Sequence, residues 1–219
     1  MPTSSKLMTI GLCLLLTAIS VSSTGCVRFA ANLVNAIQGN ERPAEYAGFE
    51  EQRVAIVCTR DGSLSADATS ALLTRYVHVA LNTNIKKIEL VRPEDVEKWL
   101  DSNNWNVSDH SEIGRGLNAA KLLVVDIAGM KLKDGATLYR GQCDVSVTVY
   151  DITNKGAVVF EKQFPEFRFP REGGPSIMDT TEAKFRNLFV TIVARKVSNL
   201  FYAVDPTADI AIDATSNSF

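Results

Sequence analysis

Short apolar runs alternate with helical patterns in the middle of this sequence, and that alternation is the strongest constraint on the fold. Arg53–Val57 and Leu122–Ile127 are continuous apolar runs, which is typical of strands buried on both faces. Ile85–Val91 predicts another strand between them. Helical spacing separates the runs, with an apolar stripe along Leu72–Leu81 and a second helix starting near Pro93. Such an alternation predicts a parallel βαβαβ unit.

The pattern changes after this unit. Gln142–Tyr150 alternates apolar with polar residues, which predicts a strand with one wet face and antiparallel pairing. Asn154–Gly156 forms a turn, Val158–Phe164 returns, and Pro165–Pro175 reads as a loop. A final helix over Thr181–Tyr202 has a broad apolar stripe. We therefore predict an α/β fold of the α+β sandwich type: a mixed sheet from βαβαβ, then an antiparallel hairpin, then a C-terminal helix packed on the sheet.

The N-terminal stretch has the form of an export signal. Lys6 precedes the apolar run Leu7–Val21, which is shorter than the roughly 18 apolar residues that a spanning helix needs. Small residues then lead into Cys26, so this end resembles a bacterial lipoprotein signal, in which Gly25 would precede the cut. Ser23 departs from the usual Leu. Ordinary secretion with cleavage near Ser23 and an uncleaved anchor are the alternatives.

The lipoprotein resemblance implies a domain organisation and a location. Residues 1–25 would be the signal peptide, and residues 26–48 would be a lipid anchor and linker arm with a short amphipathic helix. Residues 49–205 would form the envelope domain, and residues 206–219 a flexible tail. Acylation of Cys26, with palmitate among the acyl chains, would attach the protein to a membrane in the cell envelope on the periplasmic side, because two or more chains anchor stably.

Composition bounds the class of protein. Of the 219 residues, 46% are hydrophobic and 22% are charged, which is typical of a globular chain. The formal net charge of −2 lacks the positive excess that non-specific nucleic-acid binding needs, so we predict no nucleic-acid partner. Removal of a signal would leave about 190 residues, enough for one domain.

Three stretches of the domain resemble one family of envelope α/β domains. The family includes the curli secretion channel lipoprotein, the amino-terminal domain of TolB and a penicillin-binding-protein activator lipoprotein. Ile88–Leu100 resembles its strand, Val-x-Arg and short helix. Gly116–Ile127 resembles its Gly-x-x-Gly-Ala-Asp turn into a strand, with Asn118 and Lys121 in place of the second Gly and the Asp. Val145–Val159 resembles its hairpin with Asp-x-x-Thr-Gly-x-Val.

The family resemblance implies a non-catalytic domain that binds or scaffolds other envelope components. The expected partners are the membrane, through the lipid anchor, and another envelope protein. Two alternatives remain open: a secreted enzyme with a Cys58 nucleophile, and an accessory lipoprotein of an envelope transporter.

Enzyme chemistry has few candidate residues in this sequence. Two histidines, His78 and His110, both fall at polar positions where a surface role is the ordinary one. No His-Glu-x-x-His, Cys-x-x-Cys, Walker or Gly-x-Ser-x-Gly motif occurs, so we predict no metal, no cofactor and no catalytic site. Cys58 ends the first strand, where α/β sheets place ligands, and a histidine could serve as its base. Asp126 interrupts an apolar strand and is either a buried acid or a residue at the strand end that is exposed or hydrogen-bonded to a loop.

Two cysteines of the domain, Cys58 and Cys143, could form a disulfide in an oxidising compartment. In the predicted topology one strand lies between theirs, so they would be roughly 9–10 Å apart. A disulfide needs Cα atoms within about 7 Å. We therefore predict free thiols.

One aromatic and basic segment, Phe164–Arg171, is the candidate partner-binding surface. Phe167, Arg168, Phe169 and Arg171 carry the side chains that interface hot spots favour. The alternative is that the Phe rings cover the sheet edge while the prolines deter edge pairing.

Overall fold

A computed structural model describes residues 41–107 and 109–205 of the chain. Its elements, in chain order, are β1 Arg53–Arg60, α1 Ala68–Asn84, β2 Glu89–Leu90, α2 Pro93–Ser102, α3 His110–Gly116, β3 Lys121–Asp134, β4 Leu138–Asp151, β5 Ala157–Phe169 and α4 Glu182–Ser198.

The five strands form one mixed sheet in the order β2-β1-β3-β4-β5. β1 is parallel to β2 and β3, while β3 pairs with β4 and β4 with β5 in antiparallel fashion. The mixed sheet and the C-terminal helix packed on it confirm the predicted fold class. β3 lies between the strands of Cys58 and Cys143, and both thiols are free.

Each face of the sheet has its own core. On one face, α1 and α4 cover Val54, Ile56 and Cys58 of β1 and the buried positions of β3 and β4. On the other face, α2 and α3 cover Ala55 and Val57 of β1 and the first residues of β3. β1 is therefore buried on both sides, as its continuous apolar run predicts.

Helix starts follow from capping chemistry. The Asp67 carboxylate accepts hydrogen bonds from the N–H groups of Thr69 and Ser70, and the side chains of Asp109 and Thr181 cap α3 and α4 in the same way. Pro93 occupies the first turn of α2, where it loses no helical hydrogen bond. The starts at Pro93 and Thr181 fall where the sequence predicts them.

All five strands differ in length from the sequence prediction: β1 continues to Arg60, β4 begins at Leu138, and the other three differ as follows. β2 is only Glu89–Leu90, because the residues from Ile85 form a turn in which Lys87 has φ 56°. β3 continues past Ile127 to Asp134. β5 continues to Phe169, so the predicted loop over Pro165–Pro175 starts too early. Proline is tolerated there because β5 is an edge strand.

The two departures from the family pattern have physical explanations. Asn118 has φ 51°, a left-handed conformation that asparagine tolerates better than most residues other than glycine. Lys121 Nζ lies 2.6 Å from Asp151 Oδ2, and both side chains are mostly buried. The lysine therefore joins the start of β3 to the end of β4.

Both ends of the described domain lie at one end of the sheet, which we call the lower end. Arg42 and Val204 exchange two backbone hydrogen bonds of 2.8 and 3.0 Å. Glu45 pairs with Lys162 of β5, and the Tyr46 ring packs on Phe160. Residues 42–48, which the sequence assigns to the arm, thus pack on the domain. The β3–β4 turn and the end of β5 lie at the opposite, upper end.

Candidate functional site

A cleft of about 300 Å³ opens at the carboxyl end of β1, between α1 and α2. Cys58, Ser70 and Thr74 line one side of the cleft, and Val96 and Leu100 line the other. This is the place where open α/β sheets bind ligands. The structure therefore puts Cys58 where the enzyme alternative requires it.

The chemistry of Cys58 does not suit a nucleophile. Burial raises the pKa of the thiol to about 12, and a hydrogen bond with Thr74 opposes that shift only in part. The charges of Asp126 and Asp67 raise the pKa further. Because the thiolate is the reactive form, such a thiol is almost wholly inactive near pH 7.

Neither histidine is hydrogen-bonded to the Cys58 thiol, whose side-chain partner is Thr74. His110 stacks on Tyr150, with ring centroids 6.1 Å apart. His78 is half-buried on α1, and burial lowers its pKa. Its Nε2 is buried without a hydrogen-bond partner among the described residues, so the expectation of a satisfied surface role is wrong for His78. An unpaired ring nitrogen was not visible from helix spacing.

We expect Cys58 to resist alkylation in the folded protein. Iodoacetamide at pH 8 should leave both Cys58 and Cys143 unmodified, because burial raises the pKa of each thiol to about 12. Peptide mass spectrometry measures the modification, and the same reaction in guanidinium chloride should label both residues. Rapid, stoichiometric labelling of folded Cys58 would contradict this expectation and revive the enzyme alternative.

Asp126 serves the loop that follows β1. Its Oδ1 accepts a hydrogen bond of 2.6 Å from the Thr59 hydroxyl and one of 2.9 Å from the Gly62 N–H. The predicted hydrogen bond to a loop is confirmed, but Asp126 lies within β3 and not at the end of the strand. Asp126 thus stabilises the loop between β1 and α1.

The candidate partner-binding residues divide between the core and the surface. Phe169 is 4% exposed, and the half-buried Phe167 ring packs on Phe189, with centroids 6.1 Å apart. Arg168 and Arg171 are exposed, and Arg168 pairs with Glu166 at 3.2 Å. The aromatic rings therefore hold the end of β5 on the core while Arg168 projects from it.

Arg168 belongs to a polar sheet surface that we call the open sheet face. It consists of the β4 and β5 side chains on the side of α2 and α3, namely Gln142, Asp144, Ser146, Thr148, Glu161, Gln163 and Arg168. Four of them are exposed and the other three are half-buried. The apolar cluster under α2 and α3 centres on β1 and β3 and reaches the open side only at Tyr150 and Ile152.

No helix in residues 41–107 or 109–205 is long and apolar enough to cross a membrane. Within the same ranges, no cluster of His, Cys, Asp and Glu has the makings of a metal site.

Comparison with known proteins gives similarity to solved structures. No protein-family model matches the chain, and no curated protein matches it either. Lipoprotein GNA1162 from Neisseria meningitidis is 11% identical, with 67% of this chain and 98% of that chain covered and a TM-score of 0.44. The PelC dodecamer from Paraburkholderia phytofirmans is 15% identical, with coverages of 75% and 96% and a TM-score of 0.43. The LpoB C-terminal domain from Salmonella enterica is 14% identical, with coverages of 52% and 82% and a TM-score of 0.36.

The structures similar to this chain thus include bacterial lipoproteins. The likeness is one of fold. The function of the chain has to be argued from its own residues.

Proposed function

We propose that this protein is a lipid-anchored envelope protein whose domain binds or scaffolds another envelope component without catalysing a reaction. The open sheet face carries the proposal. Three of its β4 side chains are half-buried polar residues, while the helices on that side pack on β1 and β3. A polar sheet surface beside these helices is accessible to a protein partner. The lipoproteins of similar fold agree with the proposal.

The partner-binding surface is proposed at the upper end of β5, with Arg168 and Arg171 exposed and Phe167 and Phe169 supporting them. Lys162, which pairs with Glu45, lies six residues before Arg168, so the two are roughly 20 Å apart along the strand. Glu45 therefore contacts β5 away from the proposed surface.

The low reactivity expected of the Cys58 thiol supports the proposal that the domain is not catalytic. The cleft beside β1 contains a thiol whose pKa of about 12 keeps it protonated. The hydroxyl groups of Ser70 and Thr74 donate to Asp67 and to the backbone of Ser70, respectively. Activation of a nucleophile needs an adjacent base or a lowered pKa.

Cys26→Ser is expected to abolish incorporation of labelled palmitate and to release the chain from the membrane fraction. The matched control is Cys13→Ser, which changes a cysteine of the proposed signal peptide and should leave labelling intact. Labelled palmitate is followed by gel fluorography after growth in the native host. Palmitate that persists in Cys26→Ser contradicts lipidation at this residue.

The binding role is tested by cross-linking and affinity purification of the full-length lipidated chain. We expect a specific envelope protein whose recovery falls in Arg168→Ala and stays unchanged in Arg75→Ala, an exposed arginine on α1. A thermal melt checks that both variants fold. Recovery that is unaffected by Arg168→Ala would contradict the proposed surface.

A further inference from the structure

We infer that the upper end of the open sheet face binds carboxylates of an acidic segment in the partner protein. The site is centred on three side chains of adjacent strands, Lys131, Gln142 and Arg168, which we call the basic row. Lys131 of β3 is paired in register with Gln142 of β4, and Gln142 is paired with Arg168 of β5. The inference rests on the proposed function, because it names the chemistry of the partner at the surface that contains Arg168.

The basic row lies in a polar cavity of about 230 Å³. Lys133, Asp134 and Arg140 complete its lining. Arg140 is held in place by Asp134 at 2.7 Å and by the carbonyl oxygen of Gly173 at 3.3 Å, and Lys133 pairs with Glu182 of α4 at 3.3 Å. Because Lys133 and Arg140 are neutralised in this way, Lys131 and Arg168 supply the charge that complements an anion.

Two side chains of the basic row have hydrogen-bond donors that are not used within the described part of the chain. Within the described part of the chain, Lys131 makes no ion pair and its ammonium no hydrogen bond, and the Gln142 amide likewise has no hydrogen-bond partner. Arg168 pairs with Glu166, but the two side chains are 48% and 71% exposed. Exposed ion pairs of this kind contribute little to stability, so Arg168 can exchange Glu166 for a carboxylate of the partner.

The spacing of the basic row favours a ligand that has two separate carboxylates. Neighbouring strands lie about 4.8 Å apart, so Lys131 and Arg168 are separated by roughly 10 Å, with the Gln142 amide between them. An extended polyproline II segment repeats every three residues, or roughly 9.3 Å. Acidic residues three apart in such a segment would meet the lysine and the arginine together, and guanidinium groups bind carboxylates in a planar, bidentate manner.

Nearby acids favour a peptide over an anionic lipid surface. Asp134 lines the cavity, and Asp144 and Glu166 lie beside it, where Asp144 accepts a hydrogen bond from the Glu166 N–H. A uniformly anionic surface would also face these carboxylates and be repelled by them. A segment that crosses the strands can place its acids on the cations alone.

The test is binding of a fluorescein-labelled peptide, four repeats of Glu-Pro-Pro, to the full-length chain in non-ionic detergent. Anisotropy should show binding that weakens as salt rises, and little binding of the matched Gln-Pro-Pro peptide. Lys131→Gln and Arg168→Gln should each raise the Kd about tenfold, because each removes one charged hydrogen-bond partner. Lys86→Gln, an exposed lysine at the lower end, should change the Kd less than about twofold.

Three outcomes would overturn the inference: no binding of the acidic peptide, equal binding of the two peptides, or an equal Kd for Lys131→Gln and the wild type. Phosphatidylglycerol vesicles that bind the chain through Lys131, while the peptide does not bind, would assign the row to a membrane instead. Thermal melts establish that every variant is folded.

Failure of the inference differs from failure of the proposed function. Envelope-protein capture that persists in the Lys131→Gln, Arg168→Gln double variant contradicts the basic row and leaves a scaffolding role standing. Absence of any specific capture by the wild-type chain contradicts the proposed function itself.

Discussion

Gly141→Ala is expected to lower the free energy of unfolding by about 3 kcal/mol. Gly141 is buried on β4, and a Cβ atom there would lie 2.1 Å from Cδ2 of Phe189. The contact is with the body of an aromatic ring that is itself fully buried, so relief requires a shift of α4 or of β4. Urea unfolding followed by circular dichroism measures the loss.

Ser146→Ala is the matched control for Gly141→Ala, because it places an alanine on the open face of the same strand and should change stability little. In the Gly141→Ala background, Phe189→Leu should cost less than it does in the wild type, since a smaller side chain relieves the contact. A loss below about 0.5 kcal/mol for Gly141→Ala would contradict the packing described. Phe189 also supports Phe167, so a shifted ring would disturb the proposed binding surface.

Asp151→Asn is expected to lower the free energy of unfolding by about 2 kcal/mol at pH 7. The Lys121 ammonium, with further hydrogen bonds from Thr153 and the Asn154 N–H, lowers the pKa of Asp151 to about 2. Asparagine keeps an oxygen for the three turn bonds, which the N–H and hydroxyl of Thr153 and the N–H of Asn154 donate, and removes only the charge. The Lys121 ammonium, mostly buried, is then left without its counterion.

The pH dependence of the Asp151→Asn effect has a definite sign. A carboxyl group whose pKa is lower in the folded than in the unfolded state stabilises the fold above its unfolded pKa. The difference between wild type and variant should therefore be constant above about pH 5 and shrink as the pH falls from 3.8 toward 2. Asp95→Asn is the control, since its ion pair with Arg92 is exposed. A difference that stays constant down to pH 2 would contradict the ion pair as the cause.

Sequence reasoning predicted the sheet because its evidence is local. The apolar run of β1, the alternation along β4 and the helix start at Pro93 each follow from a few neighbouring residues. The position of β3 between the two cysteine strands then followed from the order of strands and helices. Residues 129–140 were not predicted as strand, because Lys131, Lys133 and Gly135 interrupt the apolar pattern.

The site was predicted only in part for a related reason. Arg168 could be selected from its aromatic neighbours in the sequence, whereas Lys131 and Gln142 join it through cross-strand register. The ladders of β3 with β4 and of β4 with β5 contain register shifts near these residues, so counting from the turns would misplace the partners. The charges of Lys131 and Lys133 on one side of Gly135 and of Arg140 on the other were the available signal.

The bridge between Arg42 and Val204 means that the described domain begins and ends at almost the same point. Its chain could therefore be circularly permuted, with a short linker across that point and new termini in the turn between Asp134 and Leu138. Such a permutant would retain the sheet and have its termini at the upper end, next to the basic row. It would therefore separate the chemistry of the row from the position of the termini.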